Sequence, residues 1–312
     1  MTKILITGAS GFVGQAVCRQ AVQQGFVVSG AVRKPREQLA GAEQIVIGGI
    51  TRTTDWMHAL REVDVVVHLA ARVHVMHDSE VEPLVAFRAI NVDGTLNLAR
   101  QAAMAGVKRF VFISSIGVNG SQTKIGRPFS EADGPSPHNA YSLSKWEAEQ
   151  GLIRLADETG LAVVIIRPPL IYGYNAPGNF GTLLRVLKRG WPLPLGVVHN
   201  QRSLVALGNV VDFIILCSTH TQARNQTFLV SDGHDLSTTE LVRTLAQASG
   251  MPARLLPVPV WALRAAGALL GKDDAVQRLC SNLQIDISKA RNLLGWVPPV
   301  SVNEGMKLAI GI

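Results

Sequence analysis

Tyr141 and Lys145 stand four residues apart, so on a helix they share one face. A phenol near its reference pKa of about 10 is a poor base at neutral pH, and a neighbouring ammonium favours the phenolate. The pair can move a proton on and off an oxygen. Ser114 and Ser115 lie upstream, just after the apolar run Arg109–Ile113. The Ser115 hydroxyl can bond a carbonyl and the alkoxide formed from it. These are the groups for interconverting an alcohol and a ketone, with hydride leaving or joining carbon.

A hydride carrier has a matching sequence. The chain opens with Thr7-Gly8-Ala9-Ser10-Gly11-Phe12-Val13-Gly14. Glycine permits a tight turn and a close backbone approach to a pyrophosphate, and the next helix offers its N-terminal amides. Gly8, Gly11, Phe12, Val13 and Gly14 are the expected dinucleotide contacts. An NAD site usually ends the second strand on Asp or Glu. Here that place is Val32, followed by Arg33 and Lys34. A guanidinium matches a 2′-phosphate, so NADP(H) is expected and NAD(H) stays open. Arg33 and Lys34 read equally as solvated turn residues.

The elements that must position these groups alternate. Strands are expected at Lys3–Thr7, Phe26–Val32, Ile45–Ile47, Asp64–Leu69, Arg109–Ile113 and Ala162–Ile166. Helices are expected at Phe12–Gln24, near Asp55–Arg61, at Val81–Ala105 and at Ala140–Thr159. Runs such as Val65-Val66-Val67 and Val163-Val164-Ile165-Ile166 are continuously apolar, as in buried parallel strands. The fold class is α/β: a doubly wound parallel sheet of the Rossmann type with a smaller mixed α/β C-terminal lobe. The dinucleotide domain spans 1–170, with segments near 203–232 returning to it, and 171–312 forms mainly the substrate lobe. Ser237–Glu240 and Ser301–Glu304 read as capping boxes opening two later helices.

Bulk properties set the partners. The 312 residues are 47% hydrophobic and 17% charged, with 30 basic against 23 acidic side chains and a formal net charge of +7. That surplus favours acidic partners. No basic run or aromatic–basic interleaving is present, so no nucleic acid partner is expected. Three scattered cysteines, Cys18, Cys217 and Cys280, imply neither a disulfide framework nor a metal site. No integral membrane segment is expected, because Pro257, Pro259 and Arg264 interrupt Leu255–Leu270. A cytoplasmic location is expected. A helix around Val260–Leu270 reads as core-facing or subunit-facing in preference to surface-lying.

Further motifs appear in order: His68-Leu69-Ala70-Ala71, Asn91-Val92-Asp93-Gly94-Thr95, Arg167-Pro168-Pro169-Leu170-Ile171-Tyr172-Gly173 and Leu294-Gly295-Trp296. Together with the glycine turn, Ser114-Ser115 and Tyr141–Lys145, they resemble the extended short-chain dehydrogenase/reductases, in the branch of nucleotide-sugar epimerases, dehydratases and reductases. The resemblance covers nearly the whole chain. It implies a triad of Ser115, Tyr141 and Lys145, with Lys145 also bonding the nicotinamide ribose. It implies support from Asn91, cofactor contacts at Leu69, Ala70 and Ala71, and Pro168 near the nicotinamide. It further implies a UDP-sugar substrate touched by Asn179, Arg202 and Arg278. Relatives dimerise through two helices of the sheet domain, so a homodimer through Val81–Ala105 and Ala140–Thr159 is expected.

Departures narrow the activity. Gly117 and Asn119 stand where many relatives carry Ser or Thr and Tyr. Gly49 stands where many have an adenine-contacting Asp. Ile116-Gly117 replaces the Asp-Glu that sugar dehydratases use to eliminate water. The missing acid at Val32 and the wording of Pro177–Phe180 and Trp191–Gly196 favour a reductase. Its substrate would be the C4 ketone of a UDP-4-keto-6-deoxy-N-acetylhexosamine, giving UDP-N-acetylquinovosamine. The alternative is a UDP-sugar 4-epimerase with retained NAD, and a more distant one is a catalytically silent dinucleotide sensor.

Overall fold

A computed structural model describes residues 1–36, 39–73 and 82–311. The chain begins with β1 (Lys3–Thr7), α1 (Phe12–Gln23), β2 (Val27–Val32), β3 (Glu43–Val46) and β4 (Val65–His68). Next come α2 (Pro83–Arg88), a π-helical turn (Ala89–Gly94), α3 (Thr95–Met104), β5 (Arg109–Ile113), α4 (Ala140–Thr159) and β6 (Ala162–Arg167). There follow β7 (Ile171–Tyr172), α5 (Gly178–Lys188), β8 (Val205–Ala206), α6 (Leu207–Thr219) and β9 (Gln226–Leu229). The last helices are α7 (Thr238–Ala248), α8 (Val260–Leu269), α9 (Asp273–Cys280), α10 (Ser288–Leu294) and α11 (Val302–Ile310).

Seven strands pair in the order β3-β2-β1-β4-β5-β6-β9, every neighbour parallel. The order reverses between β1 and β4, where Thr7 sits opposite His68. Ligands of such sheets bind in the crevice beyond the strand ends at that switch. Both faces are covered, which explains the continuous apolar runs. Ile4, Ile6 and Val67 pack with Val17 of α1 and Phe213 of α6. Leu5, Val66 and Phe110 pack with Leu98 of α3 and Leu152 of α4. Burying one such side chain stabilises by roughly 1.5–3 kcal/mol, so a register slip would be prohibitive. A third core lies in the C-terminal lobe and includes Tyr172, Phe180, Leu245 and Met306.

The structure departs from the sequence reading at several places. Asp55–Arg61 forms turns, not a helix. Gln101 holds this segment from outside: its Nε2 donates to Thr54 O (2.8 Å), a carbonyl that a helix would use, and its Oε1 accepts from Trp56 N (2.7 Å). Of the expected helix Val81–Ala105, Val81 lies outside the described residues, and the rest is α2, the π-helical turn and α3. Gly94 admits the neighbouring chain there, since a Cβ would stand 2.6 Å from Ile50 Cγ2. At α7 both capping-box bonds of Ser237 and Glu240 form. At α11 Ser301 accepts from Glu304 N (3.3 Å), with no return bond among the described residues. α8 places Val260 and Leu263 against the lobe's core but leaves much of its surface exposed. No helix among the described residues is long and apolar enough to cross a membrane.

Candidate active site

The glycine turn is sterically obligatory. Gly8 has φ +67°, and Gly11 N donates to Gly8 O at 2.9 Å. A Cβ on Gly14 would stand 2.1 Å from Gly8 O, and one on Gly8 would stand 2.9 Å from Ala70 N. The turn therefore closes on the start of α1 and on the segment after β4. α1 has Gly11 as its N-cap and no side-chain cap, so its first amides, at Phe12 and Val13, are left for an anion. This cradle fits a dinucleotide pyrophosphate. Leu69, Ala70 and Ala71 follow β4 half-buried, and Ala70 N donates to Thr7 Oγ1 (3.3 Å). Arg33 and Lys34 are exposed just beyond β2.

A buried polar chain underlies the switch point. Thr7 Oγ1 lies 2.7 Å from His68 Nδ1, and His68 Nε2 lies 2.9 Å from Thr95 Oγ1. Burial, and then the charge of Lys145, pushes the His68 imidazolium pKa down to about 3. His68 is therefore neutral and structural at physiological pH.

α4 carries the pair expected to handle a proton. Asn139 caps it, accepting from Ser142 N (2.8 Å) while Asn139 N donates to Ser142 Oγ (3.2 Å). Tyr141 lies in the first turn, half-buried, with its ring edge-on to Phe87 at 6.1 Å. Lys145 lies buried one turn later, its Nζ 4.3 Å from the Phe112 ring centroid. Burial pushes the Lys145 pKa down to about 7, against the opposing pull of Glu149. The phenol was expected to be lowered by Lys145; in the folded chain burial raises it to about 12. Desolvation sets both groups, each moving toward its neutral form.

Ser115 caps the short 3-10 turn Ile116–Val118, its Oγ accepting from Gly117 N (3.1 Å). Ile116 N donates to the carbonyl of buried Pro168 (3.0 Å), so the end of β6 holds this turn. Gly117 packs closely at this turn. A Cβ there would stand 3.2 Å from Ser142 Cβ and 3.3 Å from Ser115 Oγ. The bare glycine lets the serine turn seat against the start of α4. Asn119 has a different task from the tyrosine it replaces: its Oδ1 accepts from Arg167 Nη1 (2.9 Å).

The sequence reading missed Glu149. Its carboxylate is buried and accepts from Arg167 Nε (3.0 Å), Arg167 Nη2 (2.5 Å) and Ser114 Oγ. The available signal was spacing, since Tyr141, Lys145 and Glu149 recur every four residues on one helical face. Asn91, in the π-helical turn, accepts from Arg72 N (2.8 Å) and donates to Arg72 O (3.0 Å) and Ser144 Oγ (3.0 Å). It ties the segment after β4 to α4.

On the lobe side, Arg202 is half-buried and donates to Ser281 O at 3.0 Å. Burial, then the nearby charge of Arg278, pushes its pKa down to about 10. A half-buried guanidinium under the charge of an exposed one invites a diphosphate. Asn179 is exposed in the first turn of α5, and no hydrogen bond ties its side chain to the other site residues among those described.

Comparison with known proteins gives the family and matches the fold. Residues 4–231 match the NAD dependent epimerase/dehydratase family. The chain is 47% identical over 306 residues to a UDP-glucose 4-epimerase of Vibrio cholerae, covering 97% of this chain and 93% of the relative. It is 29% identical over 318 residues to an N-acetyl-alpha-D-glucosaminyl-diphospho-ditrans,octacis-undecaprenol 4-epimerase of Escherichia coli O157:H7, covering 97% and 92%. The fold matches a Thermus thermophilus UDP-glucose 4-epimerase solved with NAD, at TM-score 0.80 and 24% identity, over 99% of this chain and 98% of that one. It also matches a Thermotoga maritima UDP-glucose 4-epimerase solved with UDP-glucose, at TM-score 0.79 and 24% identity, over 99% and 97%. Since the family match spans most of the chain and a near-full-length relative is almost half identical, this protein belongs to the NAD dependent epimerase/dehydratase family and is an enzyme of the extended short-chain dehydrogenase/reductase type.

Proposed function

We propose that the protein is a UDP-sugar 4-epimerase that retains NAD. The observation carrying this reading is the seating of Tyr141 and Lys145 on α4 beside the Ser115 turn, in a chain 47% identical to a UDP-glucose 4-epimerase. It prefers the alternative given above to the 4-keto reductase.

NAD, when bound, supplies a reversible acceptor for the hydride at sugar C4. Tyr141 takes the proton from the C4 hydroxyl oxygen and returns it after the keto sugar has turned over. Ser115 Oγ bonds the same oxygen in both directions. Lys145 in its protonated form offsets the phenolate as it forms, against the upward shift that burial gives Tyr141. The turn at Gly8, Gly11 and Gly14 with the α1 amides at Phe12 and Val13 holds the pyrophosphate. Leu69, Ala70, Ala71 and Pro168 line the cofactor, and Asn91 fixes the wall between them and α4. Arg202 and Arg278 hold the sugar nucleotide's diphosphate, and Asn179 reads its base. The homodimer expected through α2–α3 and α4 belongs to the same proposal.

The test is incubation of the purified enzyme with UDP-glucose and no added nucleotide, followed by proton NMR. Appearance of UDP-galactose without net change in cofactor supports the proposal. Absence of interconversion, with stoichiometric NADPH loss on a 4-keto UDP-sugar, overturns it in favour of the reductase. That second reading has one specific support, the absence of an acid at Val32 before exposed Arg33. Under it, Arg33→Ala raises KM for NADPH more than for NADH.

A further inference from the structure

α8 is apolar on both faces, yet one face is covered. Val260 and Leu263 pack into the lobe's core, and Gly267 lies against Val276 of α9, where a Cβ would stand 2.7 Å from Val276 Cγ2. On the outside, Trp261 is 74% exposed, Leu269 87% and Leu270, just past the helix, 70%. Ala265, Ala266 and Ala268 are exposed with them, and Arg264 is the one charge in the helix. A helix apolar all round belongs in a core or against lipid.

The surface continues beyond α8. Leu193 N donates to Arg254 O and Leu256 N to Leu193 O, each at 2.8 Å, which joins the segment carrying exposed Trp191 to the one carrying exposed Leu256. Cations accompany these apolar groups. Arg185, Lys188 and Arg189 are exposed at the end of α5. Arg254, Arg264, Lys272 and Arg278 are exposed on and around α8 and α9. Against these seven stand Asp273 and Asp274, in the first turn of α9, across residues 177–200 and 251–280. The net +5 of these segments is most of the chain's formal +7.

Charge decides between occupants. A second copy would set one net-cationic surface against another, which repel each other. An anionic bilayer complements the cations, while tryptophan and leucine suit the boundary between headgroups and acyl chains. Ten residues of α8 extend about 15 Å, too short to span. We propose that the α8–α9 face docks this enzyme reversibly on an anionic lipid bilayer, with Trp261, Leu269 and Leu270 entering the headgroup layer. Arg278 is exposed in α9, and its charge acts on half-buried Arg202, so the docked surface borders that guanidinium. The inference does not depend on which reaction the site performs.

The test is co-sedimentation of the full chain with vesicles of phosphatidylglycerol and phosphatidylcholine, with pure phosphatidylcholine as the comparison. On the order of ten-fold more protein pellets with the anionic vesicles at low salt, and high salt reverses it. Leu269→Gln with Leu270→Gln, and separately Arg254→Glu with Lys272→Glu, reduce pelleting to the neutral-vesicle level while circular dichroism is unchanged. Trp261 emission shifts to the blue on adding anionic vesicles, and Trp261→Phe diminishes that shift. Equal pelleting with both vesicles overturns the proposal. So does vesicle-free dimerisation that Leu269→Gln with Leu270→Gln abolishes, which would assign the face to a second copy.

Discussion

Arg167 grips Glu149 with two nitrogens, Nε 3.0 Å from Oε1 and Nη2 2.5 Å from Oε2, in an interior that nearly excludes solvent from both side chains. The pair joins the end of β6 to the middle of α4. Through Ser114 and Asn119 it also braces both ends of the turn that carries Ser115. The candidate active site is therefore anchored from below by an ion pair of residues outside the expected ligand contacts.

Breaking that pair leaves a buried, uncompensated charge. Arg167→Met should cost about 3–5 kcal/mol of stability in urea denaturation. The double variant Arg167→Met with Glu149→Leu should recover most of the loss, because no orphan carboxylate remains. Simple addition of the two single losses would mean that the pair is not the source.

Lys145 ties stability to pH with a definite sign. Its pKa is about 7 in the fold against 10.5 when unperturbed. Between these values the unfolded chain binds more protons, so this group makes stability rise with pH. Below about pH 7 the cost of the buried ammonium is fully present. Lys145→Met should therefore stabilise most near pH 6 and progressively less toward pH 10. A benefit that does not change with pH would show that Lys145 is not desolvated as described.

The glycine cradle separates one glycine from another. Gly14→Ala places a Cβ 2.1 Å from Gly8 O, whereas at Gly48 a Cβ meets nothing within 4 Å. Gly14→Ala should cost about 1–3 kcal/mol or more and abolish dinucleotide binding. Gly48→Ala should change neither, as read by thermal melting and by quenching of protein fluorescence on cofactor addition.

Tyr141→Phe keeps the ring against Phe87 and removes the oxygen. Turnover should fall by roughly a hundred- to ten-thousand-fold with dinucleotide affinity unchanged. Steady-state kinetics with a parallel binding titration checks this, and full activity in the variant removes Tyr141 from the chemistry.

Arg202→Gln removes a charge from the substrate side and leaves α4 untouched. A charged hydrogen bond is worth about 1.5–3 kcal/mol, so KM for a UDP-sugar should rise roughly ten- to hundred-fold with a smaller change in kcat. A fall in kcat at unchanged KM would place Arg202 elsewhere in the reaction.

What the sequence made legible follows from how local each signal is. β1, β5 and α4 match their expected bounds, because each is a complete apolar run or a capped, periodic segment. The glycine turn was readable since its constraint lies within eight residues. The helix expected near Asp55–Arg61 was not there to read: Gln101, far along the chain, takes the backbone groups at Thr54 and Trp56. Glu149 went unread because its partner, Arg167, belongs to another element, and a helical glutamate usually faces water. The upward shift of Tyr141 was hidden for a similar reason. Spacing reveals which charge is near a phenol, but not how much water the fold removes from it.

One consequence follows from the arrangement on α4. Phenol, ammonium and carboxylate are stations along a single rod, 20 residues long and capped at its start by Asn139. No loop intervenes to let them drift apart as the temperature climbs. Heat should therefore spare the spacing of the chemistry until the rod itself melts, and catalytic competence and far-ultraviolet ellipticity should vanish together.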